Sequence, residues 1–456
     1  MARREAKVTL SICNGKLMPP ETRTPAPDPA ASPPPADLAA LMPELSVPVG
    51  WTFAALAAGI AAGLALAGGP HAAGVIALAA PLGALWVRGL QMTIVPLVAA
   101  LLVVGIGQTV AAAQAGAMAR RTLAWFVAVL TASGLTGIGL TPLLLDLWPI
   151  PPRAAAALSA GGVQSAQTGP VPGLGDVLGA VVPENIVDAA AHGAMLPLVV
   201  FFALFAVAIT RLPAGPRQLL TGFFAALAGA MMVLVGWVLK LAPLGVFALA
   251  LAVAARSGGA AVGALAHYIV VVSAAGAVMF LAAYAVAISA GGVRPGAFVR
   301  TMLPVQALAL STQSSLASLP AMLGASRALA LSPASAEFVL PLGVALFRAT
   351  GPAMNLAVAC YVARLTGVAL TPPVLLAGLA VALVLTFGTV SLPGSISFIA
   401  SVGPIALAMG VPVAPLALLL AVEMLPDLMR TVGNVTMDVA VTAAVDRTGA
   451  AARPSV

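Results

Sequence analysis

Glu423–Asp438 reads EMLPDLMRTVGNVTMD, and the rest of the chain takes its meaning from this stretch. It follows a run, Leu365–Val422, that contains no Asp, Glu, Lys, Arg or His. Glu423, Asp427, Arg430, Thr431, Asn434 and Asp438 then come at steps of four, three, one, three and four. On an α-helix those steps return to one face. A face carrying both signs of charge inside an apolar chain is costly in hydrocarbon, so it belongs against protein or a water-filled cavity, where it marks a substrate or ion path. The competing reading is a solvated terminal helix laced by i,i+4 pairs.

Working outward, composition sets the class. The 456 residues are 61% hydrophobic and 8% charged, whereas a soluble domain is about one quarter charged. The chain is therefore read as a polytopic membrane protein, and its glycine, alanine and leucine richness suits close helix packing in lipid. The net charge of +7 is scattered, with no basic patch interleaved with aromatics, so no nucleic-acid partner is expected. The basic residues are read as topology signals instead. Cys13 lies in a polar tail and Cys360 in an apolar segment, which points away from a structural disulfide and from a metal site. His71, His192 and His267 are isolated and read as loop or packing residues.

Residues 1–46 are polar and proline-rich, the composition of a disordered tail, and Arg3, Arg4, Lys7, Lys16 and Arg23 favour keeping it in the cytoplasm. Spans of the roughly 20 residues a bilayer needs are expected at Val47–Leu66, Ala72 to Val110, Thr122–Leu145, Ile186–Ile209, Leu219 to Ala254 and Ala260–Ala290. Residues 150–183 are rich in glycine, proline and serine and read as an external loop. The basic loops at 120–121, 211–217 and 294–300 alternate with less basic ones, which puts them and the N-terminus on the inside.

Beyond Gly296 the apolar runs are broken, by STQSSLASLP at 311–320, FRATGPAMN at 347–355 and TVSLPGS at 389–395. Such backbone is tolerated at membrane depth only where it lines a cavity. Interrupted segments in corresponding places are a feature of inverted-repeat transporters, in which freed amides hold anionic groups and freed carbonyls hold cations. A kinked or extramembrane turn at each cluster is the alternative.

With these motifs on the page, the chain resembles the dicarboxylate/amino acid:cation symporters, the family of bacterial and animal glutamate transporters, from about residue 83 to 446. VRGLQMTIVPLV (87–98) resembles the family's second helix, and VVPENIVDAAAHGAMLPLVVFFALFAVAI (181–209) its fourth. APLGVFAL (242–249) resembles its fifth, FVLPLG (338–343) the start of its seventh, and STQSSLASLP and SLPGS the tips of its two hairpins. DLMRTVGNVTMD (427–438) is the most specific match, to the last helix.

The resemblance implies an all-α polytopic membrane protein with eight transmembrane helices, two re-entrant hairpins, inverted repeats and a homotrimeric assembly. It implies a scaffold at 47–116 and 184–256, a transport unit at 117–150 and 257–446, an external loop at 151–183, and tails at 1–46 and 447–456. Carried over residue by residue, Asp427 would pair with a substrate ammonium and Arg430 with a side-chain carboxylate, a task suited to a planar fork of donors. Thr431 and Asn434 would add polar substrate contacts. Ser315 would offer backbone groups from the first hairpin, and Leu392, Pro393 and Gly394 would form the tip and gate of the second. Asp438 would bind a cation with the backbone of Gly343 and Asn434.

This chain departs from the family where sodium is gathered. After PLG, many members continue with Asn-Met-Asp-Gly-Thr, and here Phe347, Arg348, Ala349, Thr350 and Gly351 stand in those places. In the third helix Val129 and Leu130 replace a hydroxyl pair, with Thr131 and Ser133 nearby, and Ile396 replaces a small residue beside the pocket. Arg348 cannot shed its proton and is read either as a snorkelling side chain or as a tethered cation that stands in for sodium and balances Asp438 or Glu423.

The expected function is secondary symport of acidic amino acids or C4-dicarboxylates across a bacterial-type inner membrane by an elevator-like movement. Na+ or H+ would be the coupling ion, both termini would be cytoplasmic, and no other cofactor is expected. No nucleophile–base set, metal cluster or phosphate loop indicates an enzyme. An anion channel, an exchanger or a membrane sensor is the alternative.

Overall fold

The computed structural model describes residues 49–114, 116–152, 182–257, 260–388 and 394–451. The tail at 1–46, most of the loop expected at 150–183 and the Leu392–Pro393 tip lie outside these residues. The described residues form helices and connecting turns, with no strand among them.

In chain order the helices are α1 (Val49–Leu66), α2 (Ala72–Gln91), α3 (Ile94–Ala113), α4 (Ala117–Leu147), α5 (Ile186–Ala191), α6 (Met195–Thr210), α7 (Ala214–Lys240), α8 (Ala242–Ser257) and α9 (Ala260–Ser289). There follow α10 (Pro295–Thr312), α11 (Ser315–Ala328), α12 (Pro333–Leu346), α13 (Gly351–Thr366), α14 (Pro372–Gly388), α15 (Gly394–Ala408), α16 (Ala414–Leu420) and α17 (Met424–Ala451). Stretches long and apolar enough to cross a membrane run over Ala72–Ala113, Ala117–Leu147, Ala214–Lys240, Val262–Ser289 and Pro333–Thr366.

Three of the expected single helices are broken, each close to a proline. The second span divides at Met92–Thr93 because Pro96 has no N–H for the Met92 carbonyl and its ring crowds that carbonyl. In the same turn Thr93 Oγ1 donates to Leu90 O at 2.8 Å. The fifth span divides at Leu241, two residues before Pro243. The fourth divides at 192–194, where Gly193 takes φ +66°, four residues before Pro197. The break in the fifth span falls at the APLG breaker beside Lys240, while the sequence reads through the second and fourth spans as one helix each.

Helix association relies on small residues. Gly59 and Gly63 form a GxxxG pair on α1, and a Cβ built at Gly59 would lie 2.7 Å from Phe247 O of α8. The Gly245 backbone of α8 lies flat on the Trp86 ring of α2, whose Nε1 donates to Val238 O at 2.9 Å. α4 meets α13 at Gly137, where a Cβ would lie 2.8 Å from Ala353 O. An ion pair between Asp146 and Arg364 joins the same two helices. α17 packs against α4, α9, α10, α11, α12 and α15, so its polar face is enclosed by protein. Asn434, Val435, Thr436, Met437 and Asp438 are all buried, which is incompatible with a solvated terminal helix.

Gly137→Ala should destabilise the protein by about 1–3 kcal/mol, the usual range for overpacking. Gly139→Ala, one turn-face away with open space at its Cβ, should be neutral or stabilising by up to about 1 kcal/mol through helix propensity. Thermal unfolding of the two variants in detergent checks the contrast.

Candidate functional site

The site is assembled at two helix breaks that face α17. Between α12 and α13 the chain leaves helical geometry at Phe347–Thr350, which frees backbone amides that must find other partners. Thr350 N donates to Asn434 Oδ1 at 2.9 Å, and Thr350 Oγ1 lies 2.9 Å from the same atom and 3.2 Å from Arg430 O. Ala353 N, in the first turn of α13, donates to Ser133 Oγ of α4 at 3.1 Å. These side chains hold the broken helix open against α17.

The break between α10 and α11 is capped differently. Gln313 adopts the left-handed conformation with φ +50°, and Ser314 Oγ accepts from Ala317 N at 3.2 Å. Ser315 starts α11 and is half-buried. Gly394 starts α15.

At the N-terminal end of α17 the charged residues converge. Arg430 Nη2 donates to Glu423 Oε1 at 2.7 Å, Arg430 Nη1 to Asn355 Oδ1 at 2.8 Å, and Arg430 Nε stands 3.1 Å from Asp427 Oδ1. Tyr268 OH of α9 donates to the other Glu423 oxygen, Oε2, at 2.8 Å. The Arg430 and Glu423 side chains are 10% and 4% exposed. Arg348, half-buried in the α12–α13 turn, interacts electrostatically with Asp427 and Arg430. Thr431 is buried, and its hydroxyl turns back to Asp427 O at 3.0 Å.

Glu423, Asp427 and Arg430 thus form one cluster, while Asn434 is drawn to Thr350. Gly343 and Asp438 form a second place, one to two turns further along α17. A Cβ at Gly343 would lie 2.9 Å from Asp438 Oδ1 and 3.8 Å from the Phe126 ring, and Phe126 stacks on Phe347 with centroids 4.1 Å apart. Among the described residues neither Asp438 carboxylate oxygen has a hydrogen-bond partner. A hard cation asks for several oxygen ligands. Here the side chains supply one carboxylate, the Asn434 side-chain oxygen is taken by Thr350, and the Phe126 and Phe347 rings stand close by, so any further oxygens for a cation would have to come from backbone carbonyls.

Asn355 and Tyr268 are site residues that motif reading passed over, Thr350 was named only as a departure from the sodium motif, and Glu423 was read as a charge on the polar face and a candidate partner of Arg348. Asn355 carried one signal, a lone amide inside the apolar run 351–363. Tyr268 carried none, since 155 positions separate it from Glu423.

A buried cluster of opposite charges, enclosed by interrupted apolar helices, defines an integral membrane protein of the transporter class. Residues 49–448 match the sodium:dicarboxylate symporter family, and the chain belongs to it. It is 28% identical over 365 residues to the proton/glutamate-aspartate symporter of Escherichia coli (strain K12), covering 79% of this chain and 83% of that protein. It is 26% identical to the proton/sodium-glutamate symport protein of Bacillus caldotenax, over 84% of this chain and 90% of the relative. A C4-dicarboxylate transport protein of Leptothrix cholodnii is 26% identical, over 78% and 79% of the two chains.

Two outcomes follow. Arg430→Met leaves two carboxylates without their shared cation and should cost about 3–5 kcal/mol, as for breaking a buried pair. Adding Glu423→Gln should recover part of that loss, which a melting series on the wild type and the two variants reads directly. Replacing potassium by sodium should leave the melting temperature of the wild type unchanged. A ligand held at 100 times its Kd would add about 2.7 kcal/mol, which is readily seen.

Proposed function

We propose that this protein is a secondary transporter that carries acidic amino acids, and C4-dicarboxylates less well, across the bacterial inner membrane, driven by a cation gradient. The observation that carries the reading is the Arg430 fork flanked by Asp427. An amino acid with a side-chain carboxylate presents an anion for the guanidinium and an ammonium for Asp427. The names of the relatives, which include glutamate, aspartate and C4-dicarboxylate carriers, support the same substrate range.

Thr431 and Asn434 supply the remaining polar contacts. Ser315, at the start of α11, offers backbone groups to the substrate, and Leu392, Pro393 and Gly394 serve as the gate. α10–α11 and α14–α15 are the two re-entrant hairpins, and α1, α2–α3, α4, α5–α6, α7–α8, α9, α12–α13 and α17 are the eight transmembrane helices. Residues 117–150 and 257–446 move as the transport unit along the scaffold of 47–116 and 184–256, in a homotrimer with both termini cytoplasmic. Arg348 lies where a cation would otherwise be gathered and adds a fixed positive charge beside Asp427.

A plain dicarboxylate offers Asp427 no ammonium and competes with it for Arg430, at a cost of about 3–5 kcal/mol if that competition breaks the buried pair. Competition binding to purified protein should therefore rank aspartate or glutamate above succinate and malate. A ranking with succinate above aspartate would contradict the assignment.

A further inference from the structure

The Arg430 fork is already filled. Nη2 is taken by Glu423, Nη1 by Asn355 and Nε by Asp427. A substrate carboxylate that uses the fork must displace a group that now holds it. Asn355 is neutral and Asp427 is the partner for the ammonium, so Glu423 is the group displaced. Its second oxygen keeps the Tyr268 hydroxyl, but its buried charge loses the guanidinium.

Resting on the function proposed above, we infer that Glu423 is an internal stand-in for the substrate carboxylate and takes up one proton when an acidic substrate replaces it on Arg430. The charge balance supports this. The groups facing Glu423 are Asp427 and Arg430 on α17, Tyr268 on α9 and Asn355 on α13, with Arg348 reaching Asp427 and Arg430 from the α12–α13 turn. Tyr361 packs edge-on to Tyr268 at 5.3 Å, and His267 Nδ1 lies 3.2 Å from Tyr361 OH.

Two carboxylates and two guanidinium groups leave the unliganded cluster neutral. An acidic amino acid brings a net charge of minus one, and one proton restores neutrality. The proton comes from the solution that delivers the substrate and forms an O–H bond on the Glu423 carboxylate. No other bond forms or breaks. The same exchange couples substrate to proton movement, in line with Phe347 and Ala349 standing where many members of the family carry side-chain oxygens for sodium.

The sign of the pH dependence follows. The liganded protein holds one more proton than the free protein, so apparent affinity for aspartate falls as pH rises, by up to about tenfold per pH unit while free Glu423 is ionised. Calorimetry of aspartate binding to the purified full-length protein, in buffers of different ionisation enthalpy, should count about one proton taken up per aspartate.

Glu423→Gln keeps the size and an oxygen for Tyr268 but cannot take up the proton. Its binding should release or take up no proton and show no pH slope, and accumulation driven by a pH gradient in proteoliposomes should be lost. Zero proton uptake by the wild type would overturn the inference without any variant. A pH slope retained in Glu423→Gln would overturn it as well, while leaving the transport assignment standing. Failure of the wild type to bind aspartate, glutamate or succinate would overturn both.

Discussion

A guanidinium buried in an apolar chain has to satisfy its N–H donors and its charge inside the protein, and Arg430 does so with three different side chains. Glu423 and Asp427 supply charge, Asn355 supplies a neutral oxygen, and Tyr268 holds Glu423 from behind. Two carboxylates that share one cation repel each other unless geometry is held tightly, and taking away one partner of such a set is far more costly than the set is stabilising. The surrounding helices keep these distances. α9 brings Tyr268, α13 brings Asn355, and the start of α17 presents both acids and the arginine on adjacent turns.

That arrangement needs backbone inside the membrane-spanning layer that is not helical. The α12–α13 break gives Thr350 to Asn434 and leaves Arg348 beside Asp427, and Ser133 on α4 satisfies the amide of Ala353. Glycine at 137 and alanine at 353 let α4 and α13 come close enough for that hydrogen bond. Packing of small residues, satisfaction of freed amides and the ion cluster are therefore one coupled problem. The site can change occupants only if the new occupant matches the old one in charge and shape.

Much of this was legible before any coordinates. The steps from Glu423 to Asp438 place the polar face, and the serine, glycine and proline clusters at 311–320 and 347–355 fall where α10–α11 and α12–α13 are interrupted. The match of residues 49–448 to the family agrees with the resemblance carried by DLMRTVGNVTMD. What stayed hidden was pairing across distance. Arg430 invites a substrate carboxylate, and nothing local says that Glu423, seven positions earlier, already fills that place with Tyr268 behind it. The break at Leu241 falls beside the APLG breaker next to Lys240, whereas the sequence reads through those at Met92–Thr93 and 192–194 as single spans.

The central claim is that Arg430 passes from an internal carboxylate to that of the substrate. A structure of the full-length protein in lipid with aspartate bound, set beside one without substrate, tests it most directly. The account predicts that the 2.7 Å contact between Arg430 Nη2 and Glu423 Oε1 opens beyond hydrogen-bond distance and that the aspartate side-chain carboxylate takes its place, with Tyr268 still on Glu423. An unbroken Arg430–Glu423 pair beside a fully bound aspartate would contradict it.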